Sequence, residues 1–333
     1  MKALTLKTPD GLAGVVLEEI EARAPLAGEV QVALKAASLN HRELWISRGQ
    51  YPGMTLPCTL GADGAGVVEA VGEGVSQSLI GREVLLYPGL GWGDDPRLPA
   101  ADFGLLGMPG PGTLAQSICV PAQSAVAKPA FLSFEQAAAI PLAALTAWRG
   151  LTTKAALRAG ENVLITGVGG GVATFALKFA VAMGARVFVT SGSDETLDKA
   201  IELGATAGFN YHDAEWRKVL GKQSGGIDVV FDGAPASSFG NYVRSLRMGA
   251  RVVVYGSTGG AQVSLNAPDL FLRNISLIGT NVGELGEFQR MVTFIEEHRI
   301  EPVIDRVFDL EQSKDALGYL ESAHQFGKVV VRI

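Results

Sequence analysis

The sequence predicts an α/β protein in which a doubly wound parallel sheet follows a β-rich unit. Three observations support this prediction. Short apolar runs separated by Gly and Pro fill residues 1–125. From 126 to 282, apolar strand-like runs alternate with longer helix-like runs, which is typical of βαβ units and a parallel sheet. The glycine-rich segment 167–171, GVGGG, lies between one such strand and the next helix.

Composition limits the classes of function. The chain of 333 residues has 28 Lys and Arg against 34 Asp and Glu, a net charge of −6, and 47% hydrophobic residues. This length fits two domains with sizeable cores, and the charge argues against nucleic acid or an anionic membrane as the main partner. The N-terminus has no signal-peptide pattern, and no apolar run is long enough for a membrane span. The two cysteines, Cys58 and Cys119, favour a reducing compartment, so we expect a cytoplasmic protein.

The β-rich unit is predicted from four short runs between turn residues: GEVQVALKAASL, GAGVVEAVG, REVLLYPG and AQSICVP. Such spacing indicates an all-β unit, barrel-like in form. The tail, 283–333, contains two helix-like runs and terminal strands, and we expect it to return to this first unit. The predicted domains are therefore 1–125 together with 283–333, and 126–282.

The alternation in the second domain can be followed run by run. The strands are ENVLITG, RVFVTSG, GFNY, IDVVFDGA, RVVVYGS and ISLIGTN. The helices between them are GVATFALKFAVAMGA, DETLDKAIELGA, AEWRKVLGKQSG and SSFGNYVRSLRMGA.

The glycine-rich turn indicates a dinucleotide site. Residues 162–166 form an apolar strand, and Gly167, Gly169, Gly170 and Gly171 follow it before a helix opens near Val172. Backbone N–H groups at such a turn can bind a pyrophosphate, with help from the helix dipole. Val172 stands where the third glycine of G-x-G-x-x-G is expected, so the motif alone is also compatible with a tight packing turn.

The end of the next strand favours NADP(H) over NAD(H). An acidic residue there would bind the ribose 2′-hydroxyl of NAD, but the chain has Ser191, followed by Ser193. Small hydroxyl residues admit a 2′-phosphate. Asp194 follows closely, and no arginine stands in the turn. Lys178 and Lys199 could serve as counter-ions or could be solvated helix lysines.

These residues together resemble the medium-chain dehydrogenase/reductase superfamily, in its zinc-independent branch that includes quinone oxidoreductases. The resemblance covers essentially the whole chain. It rests on LNHRELWISRGQYP, LGADGAGVVEAVGEGV, AAIPLAALTAWRGL, GENVLITGVGGG, VVFDGA and GKVVVRI. It implies a GroES-like catalytic domain formed by both chain ends, a Rossmann domain between them, and a cleft with the nicotinamide at its floor.

The chain departs from the zinc enzymes of that superfamily at their metal ligands. The resemblance aligns the three catalytic ligands with Asn40, Ala62 and approximately Leu142, which do not form a set of strong zinc ligands. The region that corresponds to a four-cysteine structural zinc lobe contains no cysteine. We therefore expect no metal.

Several residues are candidates for the site around the substrate. Asn40 could donate its amide to the substrate carbonyl, or it could be a buried turn-capping residue. Tyr51 matches a cleft tyrosine of the quinone oxidoreductases and could donate or stack, or it could pack under the turn at Pro52. His41 could be a metal ligand, a core or surface histidine, or a pyrophosphate contact, and the family position favours the last. Asp63 is interpreted as a scaffold residue.

Further cofactor contacts are implied by family position. Thr146 corresponds to a threonine near the nicotinamide, although it could be an ordinary helix residue. Gly256, Ser257 and Thr258 end a strand at the sheet edge where open α/β folds bind ligands.

The resulting prediction is an enzyme that transfers hydride from NADPH to a small-molecule carbonyl compound or quinone. Amide and phenol donors are weaker than zinc, so an activated acceptor such as a quinone or an α,β-unsaturated ketone or aldehyde is favoured. The alternatives are a carbonyl or alcohol dehydrogenase of relaxed specificity and a non-catalytic NADPH-binding protein. We also expect a homodimer, because the apolar strand at 274–282 closes the sheet and would be an aggregation hazard if left bare. The alternative is a monomer in which the tail helix FQRMVTFIEEHR folds back and covers this strand.

Overall fold

The structure, a computed structural model, describes all 333 residues and divides them into two compact units. Unit 1 comprises Met1–Leu145 and Gly283–Ile333, and unit 2 comprises Thr146–Val282. No helix combines the length and apolar composition that crossing a membrane requires.

The elements are numbered in chain order. The strands are β1 (Lys2–Leu6), β2 (Val15–Glu19), β3 (Glu29–Ser38), β4 (Cys58–Thr59), β5 (Asp63–Val71), β6 (Glu83–Leu86), β7 (Gly89–Leu90), β8 (Gly104–Leu105), β9 (Ser117–Pro121), β10 (Ala125–Ala127), β11 (Asn162–Ile165), β12 (Arg186–Ser191), β13 (Ala207–Asn210), β14 (Ile227–Asp232), β15 (Leu246–Val254), β16 (Ser276–Gly279), β17 (Ile304–Asp309) and β18 (Lys328–Arg332). The helices are α1 (His41–Ser47), α2 (Phe134–Ala138), α3 (Pro141–Arg149), α4 (Gly171–Ala182), α5 (Asp194–Glu202), α6 (Trp216–Ser224), α7 (Pro235–Tyr242), α8 (Ala267–Phe271), α9 (Leu285–Glu297) and α10 (Ser313–Glu321).

Unit 1 is built around a seven-stranded sheet in the order β10-β6-β5-β3-β18-β17, with β9 also paired to β3. Strands β2, β1 and β4 form a second sheet, and β7 and β8 form a small hairpin-like pair. The last strand, β18, lies antiparallel to β3, which returns the end of the chain to unit 1. Helix α2 packs against β3, β5 and β18, so the first division of the chain falls after Leu145 and later than the 125/126 boundary expected from composition.

Unit 2 is a six-stranded parallel sheet in the order β13-β12-β11-β14-β15-β16. The chain enters this sheet at the central strand β11, adds β12 and β13 on one side, and then adds β14, β15 and β16 on the other side, as in a doubly wound Rossmann fold. Strands β11 and β14 are buried along nearly their whole length, as expected for strands covered on both faces. The parallel sheet predicted from the sequence is confirmed.

One predicted helix is shorter than expected. The pattern of the run SSFGNYVRSLRMGA predicts a single helix, but α7 ends at Tyr242, and β15 begins at Leu246. Gly249 has a positive φ of 74°, which an α-helix does not allow. The segment therefore extends β15 and pairs with β14 from Ile227 onward.

Candidate active site

The glycine-rich turn of unit 2 leaves open space beside its backbone. Gly167 adopts a positive φ of 61°, and a Cβ placed on Gly167 or Gly170 would meet no atom within 4 Å. The turn is anchored to β12, because the N–H of Gly167 donates to Thr190 Oγ1 and the N–H of Val168 donates to Thr190 O. Gly170 caps α4 in an extended conformation. This arrangement can accept a phosphate group at a helix N-terminus.

Helix α4 compensates for the missing third glycine with small residues. Val172 is half-buried, while Ala173 and Ala176 are fully buried. Helix α4 packs against both β11 and β12. The alanines therefore permit close packing of helix and sheet without a glycine at position 172.

The carboxyl end of β12 presents hydroxyl groups, and its nearest acid is paired. Ser191 is buried and its hydroxyl accepts from the N–H of Ser193 at 3.2 Å. Ser193 caps α5 by accepting from the N–H of Thr196. The carboxylate of Asp194 accepts from the side-chain amide of Asn210 at 2.7 Å.

Two residues missed at the sequence level close over this end of β12. A Cβ placed on Gly192 would lie 2.6 Å from Tyr211 Oη and 2.9 Å from His212 Nε2. Both side chains are exposed. They follow β13, which is parallel to β12, and the carboxyl ends of parallel strands share one edge. That rule, applied to the predicted strand GFNY, would have found them.

A buried acid, Asp232, ties the ends of β11 and β14 together. Its side chain is fully buried and accepts from Thr166 Oγ1 at 2.7 Å, from Tyr242 Oη at 2.8 Å and from the N–H of Ala234 at 2.9 Å. Burial, and then the charge of Asp232, raises the pKa of Tyr242 well above its usual range. Because Thr166 precedes Gly167 directly, this network fixes where the glycine-rich turn begins.

The predicted residues after β15 lie at the same edge of the sheet. Ser257 and Thr258 are exposed, and the N–H of Thr258 donates to Gly233 O at 3.0 Å. A Cβ on Gly256 would approach Gly233 O to 3.1 Å. The loop after β15 therefore rests on the loop after β14. Thr146 is half-buried on α3.

In unit 1, three segments far apart in sequence meet at Asp63. Its Oδ2 accepts from Asn40 Nδ2 at 2.8 Å, from Ser38 Oγ at 2.9 Å and from Lys328 Nζ at 3.0 Å. Its Oδ1 accepts from the backbone N–H of Leu142 at 2.7 Å. Asp63 is fully buried and Lys328 is only 3% exposed.

Asn40 is held by side-chain contacts on both sides of its amide. Its Oδ1 accepts from Lys328 Nζ at 2.7 Å, while its Nδ2 donates to Asp63. The backbone N–H of Asn40 donates to Glu43 Oε2 at 2.7 Å and so opens α1. Asn40 is therefore half-buried in a polar network.

The same network includes two of the three positions that the resemblance aligns with zinc ligands. Asn40 and Leu142 both bond to Asp63, and Ala62 is the residue before it. An amide, two apolar side chains and a carboxylate already paired with an ammonium do not fit a zinc ion. Among residues 1–333, no group of three or more His, Cys, Asp and Glu side chains is arranged to hold a metal.

The segment aligned with the structural zinc lobe is held together without cysteine ligands. The rings of Trp92 and Phe103 meet edge to face at 5.0 Å, and Trp92 Nε1 donates to Asp95 O. Arg97 pairs with Asp95 and lowers the pKa of that carboxyl to about 2.

His41 and Tyr51 lie on and beside α1. His41 is exposed, yet desolvation by the surrounding protein lowers its pKa, and the nearby charge of Lys328 lowers it further. The neutral imidazole is therefore favoured. The ring of Tyr51 is half-buried and lies under the guanidinium of Arg42, 5.0 Å from its centroid. Arg42 in turn donates to Leu106 O at 2.8 Å.

Comparisons with known proteins agree with this architecture. The sequence profile described as alcohol dehydrogenase GroES-like domain matches residues 26–130, and that of zinc-binding dehydrogenase matches residues 171–297. The zinc-type alcohol dehydrogenase-like protein YogA of Leptosphaeria maculans is 37% identical, over 99% of both chains. The quinone oxidoreductase of Rattus norvegicus is 30% identical, over 92% of this chain and 90% of its own length. A crystal structure described as an NAD-dependent alcohol dehydrogenase superposes with a TM-score of 0.95 at 35% identity, over 100% of both chains.

Proposed function

Because the chain belongs to the medium-chain dehydrogenase/reductase superfamily, we propose that it transfers hydride from NADPH to an activated carbonyl compound without zinc. The acceptor is a quinone or an α,β-unsaturated ketone or aldehyde. The observation that carries the proposal is that Asn40, at a position aligned with a zinc ligand, is held by hydrogen bonds with Asp63 and Lys328. The remaining N–H of Asn40 offers a hydrogen-bond donor where zinc enzymes offer a Lewis acid.

NADPH is bound by unit 2 in this proposal. The turn of Gly167, Gly169, Gly170, Gly171 and Val172, with open space beside Gly167 and Gly170, takes the pyrophosphate. The hydroxyls of Ser191 and Ser193 replace the acid that would repel a 2′-phosphate. Tyr211 and His212, which face Gly192, offer a phenol and an imidazole to the same phosphate. Thr146, Gly256, Ser257 and Thr258 are proposed contacts of the nicotinamide half, and the neutral His41 is a proposed hydrogen-bond donor to the pyrophosphate.

Unit 1 stabilises the charge that develops on the substrate oxygen. A bound nicotinamide supplies the hydride. Asn40 retains one amide hydrogen that has no partner in the chain, and Tyr51 has a phenolic hydroxyl. Donors fixed in place before reaction lower the barrier because they need no reorganisation. Neutral donors of this strength suit an acceptor that is already electrophilic.

The proposal is tested by cofactor oxidation with a panel of acceptors. The purified protein is mixed with NADPH or NADH and with quinones, enals, simple ketones and aldehydes, and kcat/KM is measured for each. We expect the highest values for NADPH with quinones or enals. Activity that is found only with simple alcohols as substrates and NAD as cofactor would contradict the proposal.

An alcohol or carbonyl dehydrogenase of relaxed specificity is the second candidate. It is favoured by the names of two relatives, the zinc-type alcohol dehydrogenase-like protein and the NAD-dependent alcohol dehydrogenase. The acceptor panel separates the two candidates. If the protein binds NADPH but none of the acceptors causes NADPH oxidation, the non-catalytic alternative is supported.

We also propose that the protein is a homodimer formed through β16. This strand ends the parallel sheet and pairs only with β15. Leu277 is 39% exposed on it, and Phe271 and Leu272, which precede it in the sequence, are each 65% exposed. Pairing with a second copy would cover these side chains and the free strand edge.

A further inference from the structure

The chemistry of its neighbours fixes the orientation of the Asn40 side chain. An ammonium can only donate hydrogen bonds, and a carboxylate can only accept them. Lys328 Nζ lies 2.7 Å from one end of the Asn40 amide, and Asp63 Oδ2 lies 2.8 Å from the other. The oxygen must therefore face Lys328 and the nitrogen must face Asp63, because the flipped amide would make two repulsive contacts.

Lys328 has no hydrogen left for a substrate. Its three N–H groups have three acceptors, Leu39 O at 2.7 Å, Asn40 Oδ1 at 2.7 Å and Asp63 Oδ2 at 3.0 Å. The side chain is 3% exposed. Lys328 can therefore influence the site only through the residues that it contacts, and Asn40 is the half-buried one among its side-chain partners.

We infer that Lys328 is the fixed cation of this site and that it orients and polarises the Asn40 amide. The positive charge of Lys328, held against Asn40 Oδ1, draws electron density from the amide nitrogen. The remaining N–H of Asn40 therefore becomes a stronger donor to the substrate oxygen. Hydrogen bonds in a chain strengthen one another in this way, and more so where water is excluded. The inference rests on the proposed function for its substrate, a carbonyl or quinone oxygen.

Lys328 is a positioning residue in this account, and a purely structural role has to be separated from it. Lys328→Met alone leaves the buried charge of Asp63 unpaired, which can unfold the protein. The pair Asp63→Asn/Lys328→Met removes both charges and leaves a neutral site. Lys328→Arg keeps the positive charge. The exposed Lys314 on α10 provides the matched control, Lys314→Met.

The first readout is independent of activity. In protein labelled with ¹⁵N-asparagine, the side-chain amide signals of Asn40 are identified by their loss in Asn40→Ser. The diagnostic signal is that of the amide proton that does not bond to Asp63. We expect a clear upfield shift of this signal in the pair variant, no shift in Lys314→Met, and a shift in Lys328→Arg that is small compared with the pair variant. An unchanged signal of that proton in the pair variant would overturn the inference.

The second readout is kinetic. We expect the pair variant to keep its Tm and its Kd for NADPH while kcat falls by about tenfold or more, less than the loss of a whole oxyanion donor, and Lys328→Arg to recover most of kcat. A pair variant with both native Tm and native kcat would overturn the inference and leave the network structural. If the unaltered protein reduces no acceptor, the proposed function fails, and the Asn40 amide signals still decide whether Lys328 polarises Asn40.

Discussion

Lys328 Nζ lies 3.0 Å from Asp63 Oδ2, and the Lys328 and Asp63 side chains are only 3% and 0% exposed. The residues are 265 positions apart in the sequence. Removing two charges from water is costly unless their remaining hydrogen-bonding groups are satisfied. Here the ammonium has three acceptors, and both carboxylate oxygens accept hydrogen bonds. The pair joins the last strand of the chain to the start of β5.

Breaking this pair from one side should destabilise unit 1. Lys328→Met should lower the free energy of unfolding by about 3–5 kcal/mol, because it leaves a buried carboxylate without its counter-charge. Urea denaturation followed by circular dichroism measures the effect. The control Lys314→Met should change the free energy of unfolding by less than about 0.5 kcal/mol, as an exposed substitution does. Equal effects of the two substitutions would show that the buried pair adds nothing.

The purified protein should contain no stoichiometric zinc. Asn40, Ala62 and Leu142 stand at the aligned ligand positions, and the two nearby carboxylates are already paired, Asp63 with Lys328 and Glu43 with Arg42. Elemental analysis should find well under one zinc per chain, and chelators should leave both activity and Tm unchanged. One tightly held zinc per chain would contradict the prediction, and the argument for activated acceptors would lose its basis.

The sequence predicts the secondary structure and fold of both units better than the side-chain contacts of the site in unit 1. Apolar strands alternating with helices, with glycines after β11, are local patterns, and they correctly predict the parallel sheet and the position of the turn. The side-chain partners of Asn40 are not local, since Lys328 lies 288 positions away. No spacing rule connects these residues; only the pairing of β18 with β3 brings them together. The local sequence accordingly indicates only a scaffold role for Asp63.

The contrast between local patterns and contacts made by distant residues also explains why the sequence does not indicate Tyr211 and His212. Neither residue belongs to a glycine motif, and each could be a surface residue of a short loop. Their closeness to Gly192 follows from the register of β13 on β12, in which Asn210 is opposite Ser191. Register in a parallel sheet depends on helix packing as well as on the strands, so the sequence gives the edge of the sheet but not the contact.

NADPH should bind more tightly than NADH, and Ser191→Asp should reverse this preference. The substitution removes a hydroxyl and places a negative charge against the 2′-phosphate, which should cost about 2–4 kcal/mol of NADPH binding. Calorimetric titration with both cofactors measures the change. Asp194→Asn serves as the comparison, because Asp194 is the neighbouring acid and is bonded to Asn210.

Two outcomes would contradict the cofactor prediction. Equal or tighter binding of NADH by the unaltered protein would show that the site holds an unphosphorylated ribose. A selective loss of NADH affinity in Asp194→Asn would then identify Asp194 as the group that binds it.

His41 should make the protein less stable in mild acid. Desolvation and the charge of Lys328 lower its pKa in the folded state, whereas in the unfolded chain the pKa is about 6.5. Below that pH the unfolded chain binds a proton that the folded chain does not, so protonation favours unfolding. His41→Gln should therefore lose less free energy of unfolding than the unaltered protein between about pH 7 and pH 5, a window that spans the unfolded value. Denaturation curves measured through this range test the prediction, and identical slopes of stability against pH would contradict it.

The oligomeric state should be a homodimer held by β16. Its backbone groups opposite β15 are unpaired within the sheet, and Leu277 is 39% exposed on the strand. Multi-angle light scattering should give twice the chain mass of 34.8 kDa, unchanged on moderate dilution. Leu277→Lys should weaken association, because it places an unpaired charge in an apolar seam.

The matched control for the dimer is Val219→Lys on α6, since Val219 is 38% exposed and lies on a helix rather than on the strand edge. It should leave the mass unchanged. Leu277→Lys should also weaken NADPH binding, because β16 leads through Thr280, whose N–H donates to Val254 O at the end of β15, toward the loop that carries Gly256. A mass near one chain for the unaltered protein would refute the dimer. A dissociated Leu277→Lys variant with native NADPH affinity would show that the strand edge joins the subunits without supporting the cofactor site.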